Sequence, residues 1–294
     1  MNEKYSTSSV CCALVAGICF GAGGAISQVV ASLGFEIVDI TCAQLVSAML
    51  VLGLVCFAKR YKTPNLHVCL KLAILGIFNA ATTYCYYLAI DKISVSCAVS
   101  FQFQYVWIVL VFECISSKVI PSVKSIICVA LIIPGSLLGS GLVDEALAQN
   151  LDIDIAGIFI AIACAVFYAA YMHLNAKIEL SYPPLQRTFF TMVGASVVGI
   201  VATSIMKGGF VNVSVAPFGL VMGVIMSVAP CACLAYASSK LSGSLIAVLS
   251  SSELPVAVLV GAAVLGESIT PLKVVGVILV CASIAVSNIC TAKR

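Results

Sequence analysis

Residues 241–271 read LSGSLIAVLSSSELPVAVLVGAAVLGESITP, an apolar stretch with one carboxylate, Glu253, in its middle. A charge at that depth costs about 2.5–3.5 kcal/mol on insertion scales if it meets lipid, so Glu253 is expected to face protein or a watered cavity. Two residues on, Pro255 has no N–H to give the carbonyl of Ser251, one turn back. The hydroxyls of Ser250, Ser251 and Ser252 are expected to surround that freed carbonyl. The stretch therefore reads as a bent membrane helix that lines a site.

The rest of the chain is of the same kind. Its 294 residues are 62% hydrophobic and 9% charged, with a mean hydropathy of +1.17, which excludes an ordinary water-soluble domain. A helix crosses the bilayer with about 20 apolar residues, and this length leaves room for about ten. The expected fold is an all-α membrane protein with ten transmembrane helices. The run from Val10 to Leu33 is longer than the apolar core of a signal peptide and reads as the first span. The 15 cysteines are odd in number and fall mostly within apolar runs, where they act as small hydrophobes. Cys231 and Cys233 have no acidic or His neighbours, so no metal site is expected there.

Charge placement sets the expected orientation. With ten spans, Lys4, Lys59, Arg60, Lys62, Lys71, Lys118, Lys124, Lys177, Arg187, Lys240, Lys293 and Arg294 fall on one side, and only Lys92, Lys207 and Lys273 on the other. Both termini are therefore expected in the cytoplasm, with the protein multi-pass in the cell inner (plasma) membrane.

Polar residues at mid-depth are the site candidates. Asn79 interrupts span three near its centre. Gln102 and Gln104 in span four stand about 200° apart around a helix, so one is expected to face a cavity and the other a neighbouring helix. Trp107 lies deeper than the interface where Trp collects and is a candidate stacking wall. Tyr168 is the central polar group of span six, and Ser227 precedes Pro230 in span eight, read as a second broken helix. Gln28 is a buried amide of span one. Tyr84, Tyr86 and Tyr87 read as interfacial belt residues, Glu113 as a solvated helix end, and Arg187 as a snorkelling cation. Pro134 is an expected kink, and Asp144, Glu145, Asp152 and Asp154 are expected to be solvated acids. Thr270 and Pro271 read as the cap and first residue of span ten, with Glu267 complementing its positive end.

The chain repeats itself. KISVSCAVSFQFQYVWIVLV from Lys92 aligns with KLSGSLIAVLSSSELPVAVLV from Lys240, pairing Ser94 with Ser242, Ser96 with Ser244 and Trp107 with Pro255. A weaker match sets Phe20 against Phe167 and Gln44 against Arg187. Halves with an odd number of spans must be inverted, so the expected architecture is a 5+5 repeat over residues 1–143 and 154–294, joined by an external loop at 144–153. Such repeats place a substrate near the midplane and alternate access by rocking.

This layout, with ELPVAVLVGAAVLGESITPLKVVGVILV from Glu253 to Val280, resembles the EamA family of the drug/metabolite transporter superfamily. Trp107 stands where the first half of the family's pattern has proline. The family's glutamate before span five is absent near Ser117, with Glu113 about one turn upstream. The resemblance implies a carrier of amino acids, other small organic solutes or drugs, with a central cavity lined by spans one, three, four, six, eight and nine.

The function read from this is a secondary transporter, in the export direction, of a small organic metabolite such as an amino acid. Asn79, Gln102, Gln104, Trp107, Tyr168, Ser227 and Glu253 are its expected substrate-binding residues. Glu253 has no cation near it in sequence and is the candidate proton-coupling group. The expected partners are a small-molecule substrate, the lipid bilayer and a proton, with no nucleic acid, and the protein is a monomer or homodimer. No GxxxxGK[ST] loop occurs, so no nucleotide and no other cofactor is expected. An intramembrane serine protease using Ser196 of Gly194, Ala195, Ser196 with His173 as base is the enzyme alternative. A non-transporting receptor or assembly subunit is the third reading.

Overall fold

The computed structural model describes residues 7–90, 92–93, 95–118, 120–148, 154–209 and 212–289. Lys4, Asp91, Ser94, Asp152, Lys293 and Arg294 lie outside them. The described residues are helical, without a strand: α1 (Thr7–Ser32), α2 (Ile37–Ala58), α3 (Leu66–Ile90), α4 (Val95–Gln102), α5 (Tyr105–Ser117), α6 (Val123–Gly139), α7 (Leu142–Leu147), α8 (Ile155–Asn175), α9 (Pro184–Lys207), α10 (Ala216–Met222), α11 (Ala229–Ala237), α12 (Gly243–Ser250), α13 (Glu253–Leu265) and α14 (Pro271–Ile289).

Eight helical segments are long and apolar enough to cross a membrane, among them Cys97–Ser117, Val213–Ala237 and Gly243–Leu265, which each join more than one helix. Two further apolar helices are shorter. The 17 residues of α6 reach about 26 Å at 1.5 Å per residue, just under a hydrocarbon core of about 30 Å. α6 runs through Pro134 without interruption. The loop expected from residue 144 begins instead inside α7.

Each half's first helix packs against two spans of the other half, one of them broken: α1 against α11 and the α12–α13 pair, and α8 against α3 and the α4–α5 pair. α2 and α3 pack on α9, and α6 packs on α14. Lipid gives no hydrophobic reward for helix contact, so small residues that let backbones close are the adhesive. A β-carbon on Gly194 would stand 1.9 Å from the Ala73 carbonyl, and one on Gly276 would stand 2.2 Å from the Gly139 amide nitrogen.

Span eight is not broken. Its helix passes from α10 into α11 through a π-helical stretch, Gly223–Val228, just ahead of Pro230. Insertion of extra residues into a turn absorbs the missing proline N–H while keeping the helix continuous.

Spans four and nine are broken, and at matching positions. In the first, Phe103 N–H bonds Val99 O at 3.0 Å, Gln104 N–H bonds Phe101 O at 3.1 Å, and Val106 N–H bonds Phe103 O at 3.3 Å. In the second, Ser251 N–H bonds Ala247 O, Ser252 N–H bonds Leu249 O and Leu254 N–H bonds Ser251 O, at 3.2, 3.2 and 3.1 Å. The pairs coincide in the register that aligns Lys92 with Lys240. The Ser251 carbonyl is thus satisfied by Leu254. The serine hydroxyls go elsewhere, Ser251 Oγ to Ala247 O at 3.0 Å and Ser252 Oγ to Leu14 O on α1 at 3.1 Å.

Some charged residues at the helix ends are paired. Lys92 meets Asp154 at 3.4 Å, Lys273 meets Glu267 at 3.3 Å, and Lys207 meets Glu36 at 3.4 Å and, more closely, the buried Asp39. The three lysines that depart from the basic side are therefore each neutralised locally. Asp154 also caps α8, accepting the Ala156 N–H at 2.7 Å; that bond, with Lys92, holds its carboxyl below the ordinary value. Asp144 accepts the Thr270 hydroxyl at 2.7 Å, and Thr270 in turn accepts the Lys273 N–H at 3.2 Å.

Arg187 does not snorkel. It is 1% exposed, and its guanidinium donates to Asn175 O at 2.6 Å and Ala235 O at 2.8 Å. Those carbonyls end α8 and α11, where the helix dipole is negative and the last C=O groups lack helical partners. Glu113 is likewise bound: its Oε1 accepts the Ser244 N–H at 2.9 Å, at the positive end of α12.

Candidate functional site

A cavity lies at the seam of the two halves, enclosing about 970 Å³ with the space at its mouth. Helix α3 contributes Asn79, Tyr86 and Tyr87; α4 contributes Gln102; α8 contributes Tyr168; and α2 contributes Gln44. Ser227 enters from the π-helical stretch and Glu253 from the second break. Five of the seven expected site residues, Asn79, Gln102, Tyr168, Ser227 and Glu253, thus border one space. The other two do not. Trp107 is 40% exposed on the outer surface of α5, where its indole donates to Gln104 Oε1 at 3.0 Å. The Gln104 amide donates to Ser100 O at 3.1 Å, spending itself on its own helix turn.

Glu253 sits at the first residue of α13. Its main chain is approached closely by α1, where a β-carbon on Gly21 would stand 2.3 Å from the Glu253 carbonyl. Its side-chain Oε2 is buried without a hydrogen-bond partner among the described residues. Tyr86, Tyr105, Cys164 and Tyr168 are near enough to interact with its charge. Beneath it Tyr105 and Tyr168 pack with ring centres 4.5 Å apart, and Tyr105 donates to Ala247 O at 3.2 Å. Tyr168 stacks in turn on Tyr171 at 6.4 Å.

The cavity continues into a vestibule that shares Gly21, Gly24, Tyr86, Tyr87, Val99 and Ala257 with it. The vestibule is bordered by Gln28, Ile37, Ile90, Glu267 and Lys273, the ends of helices on one face of the molecule. Away from the vestibule lie the tyrosine stack, the Glu113 cap on α12 and the Arg187 cluster.

Tyr86, Tyr87 and Gln44 are among the lining residues that sequence reasoning missed. Tyr86 and Tyr87 read as belt residues, yet α3 is wrapped by α8 and α9, so they point into protein. Gln44 donates to Ser227 Oγ at 2.9 Å, while its Oε1 is buried without a described partner. Its pairing with Arg187 in the repeat was the available signal. The protease constellation does not assemble. Ser196 Oγ donates to Leu45 O at 3.0 Å, and His173 packs on Phe112.

A multi-pass helical bundle of two repeats with a polar cavity at their seam is the architecture of a membrane transporter. The chain belongs to the EamA-like transporter family, which matches residues 7–140 and 155–289. Among 29 similar solved chains is a crystal structure of a protein 13% identical, with a TM-score of 0.74 over 94% of this chain and 98% of that one. At that identity the likeness is one of fold. No curated protein matches this sequence.

Proposed function

We propose that this protein is a secondary carrier that exports a small organic metabolite, an amino acid or similar solute, in exchange for protons. It works by alternating access between two inverted five-helix repeats, residues 1–143 and 154–294, with ten crossings in all. In this reading α6 and α14 count as crossings, both chain ends lie in the cytoplasm of a cell inner membrane, and the unit is a monomer or homodimer. The observation that carries it is an unpaired carboxylate, Glu253, on the wall of the cavity between the repeats, with its Oε2 buried and without a partner among the described residues. Protons entering from the open vestibule reach Glu253 and displace bound solute there. The tyrosine stack and the Glu113 cap must part for the other face to open. Asn79, Gln102, Tyr168 and Ser227 supply the polar wall of the cavity.

Glu253→Gln keeps the shape of the side chain and removes its titration. In proteoliposomes carrying an imposed pH gradient, gradient-driven solute flux is expected to fall at least tenfold while the variant purifies and melts as the parent does. Unchanged pH dependence would remove the proton role.

A further inference from the structure

The polar character of the cavity is one-sided. Glu253 is the acid that borders it, and no Lys, Arg or His is among its described lining residues. The one lysine of the vestibule, Lys273, is tied to Glu267 at 3.3 Å. Arg187 faces away, its nitrogens given to carbonyls at the ends of α8 and α11. Among described residues six buried side-chain polar atoms have no partner, and the two on cavity-lining residues, Glu253 Oε2 and Gln44 Oε1, are both acceptors. Two unfilled acceptors in a low-dielectric site call for a ligand that brings N–H donors and positive charge. The remaining wall is aromatic: Phe20, Tyr86, Tyr87, Phe103 and Tyr168 offer ring faces that take an apolar body or a cation.

A carboxylate on the ligand would fare badly here. It would meet Glu253 at close range with no fixed cation to receive it, and like charges in a dry pocket repel strongly. We infer that the solute is a small organic monocation, an ammonium-bearing molecule without a free carboxylate, held between Glu253 and Gln44 with its body against the tyrosines. The inference rests on the carrier reading and narrows its substrate to amines over amino acids. One carboxylate holds either a proton or an ammonium, so exchange of the two is one for one and moves no net charge.

Matched compounds test this. Phenethylamine, phenylalanine and 3-phenylpropionate share a ring and chain and differ in charge, as do tyramine, tyrosine and 3-(4-hydroxyphenyl)propionate; butylamine and tetraethylammonium cover smaller and quaternary cations. Thermal stabilisation of the purified full chain at neutral pH is expected from one or more of the cations, with affinity at least tenfold above that of the matched amino acid. Glu253→Gln is expected to lose that preference at least tenfold, and Gln44→Leu about threefold. An amino acid binding as tightly as its matched amine, or no stabilisation by any of the cations, overturns the inference. If an amino acid binds and its flux follows the pH gradient, the substrate class falls and the carrier reading stands. If reconstituted vesicles move no solute of any charge class, the carrier reading itself falls.

Discussion

The two broken helices share a backbone and differ in what fills them. At the break between α4 and α5 the amides of Gln104 and Val106, and at the one between α12 and α13 those of their counterparts Ser252 and Leu254, find carbonyls three residues back. Only the second contains a proline, Pro255, whose counterpart is Trp107. The break therefore does not depend on proline. In the first half the Gln104 side chain takes the Ser100 carbonyl that its own N–H would bond in a regular helix, and that N–H turns to Phe101. The side chains then diverge: Tyr105 plugs the first break against Tyr168, whereas its counterpart Glu253 leaves the second open to the cavity, with Gly21 of α1 at its back. One break is filled by a tyrosine, and the other presents a carboxylate to the cavity.

The strongest way to break this contrast is to separate α1 from the second break. Gly21→Val places a β-carbon 2.3 Å from the Glu253 carbonyl, backbone that cannot swing aside. A cost of about 3 kcal/mol is expected, read as a fall in detergent unfolding midpoint, with loss of flux. Tyr105→Phe keeps the plug but deletes its bond to Ala247 O, a carbonyl that also accepts from Ser251. It should cost about 1 kcal/mol and leave gradient-driven flux within a few-fold of the parent. A larger loss of flux would mean the hydroxyl is part of the proton path.

Pro255→Ala sharpens the comparison, because the first break forms without proline. The expected change is within about 1 kcal/mol, with pH-driven flux retained. If the helix straightens and flux is lost, the proline, after all, makes the site. The smallest effect belongs to Asp154, an exposed residue at the head of α8. Its carboxyl is held below the ordinary value of 3.8, so its contribution is present above that value and fades as pH falls through the lowered one. Asp154→Asn should lower the melting temperature slightly at neutral pH and not in strong acid.

Much of this was legible in sequence. The helices follow from uninterrupted apolar runs, and α1 (Thr7–Ser32) ends within a few residues of the expected run from Val10 to Leu33. The repeat register pairs the residues of the two breaks, but a reading of span four as one helix, and of span eight as the second broken one, does not foresee the break at Phe103. Glu253, Asn79 and Gln102 stood out because polar groups at mid-depth need a reason. Depth alone also picked Trp107, which faces outward, and passed over Tyr86, Tyr87 and Gln44, which face inward. Arg187 and Glu113 read as solvated ends because their partners, helix termini from distant sequence, are main-chain groups with no residue signature.

The sequence by itself determined that this chain spans a membrane in helices, that it is built twice, and that a carboxylate is carried to mid-depth. Tertiary structure alone decided which side of each helix meets the cavity and which break is plugged. The reason is the solvent: lipid and protein interior are both apolar, so a membrane helix carries little of the amphipathic pattern that marks the buried face of a soluble one. Facing is then settled by glycine contacts and by where the last few polar groups find partners.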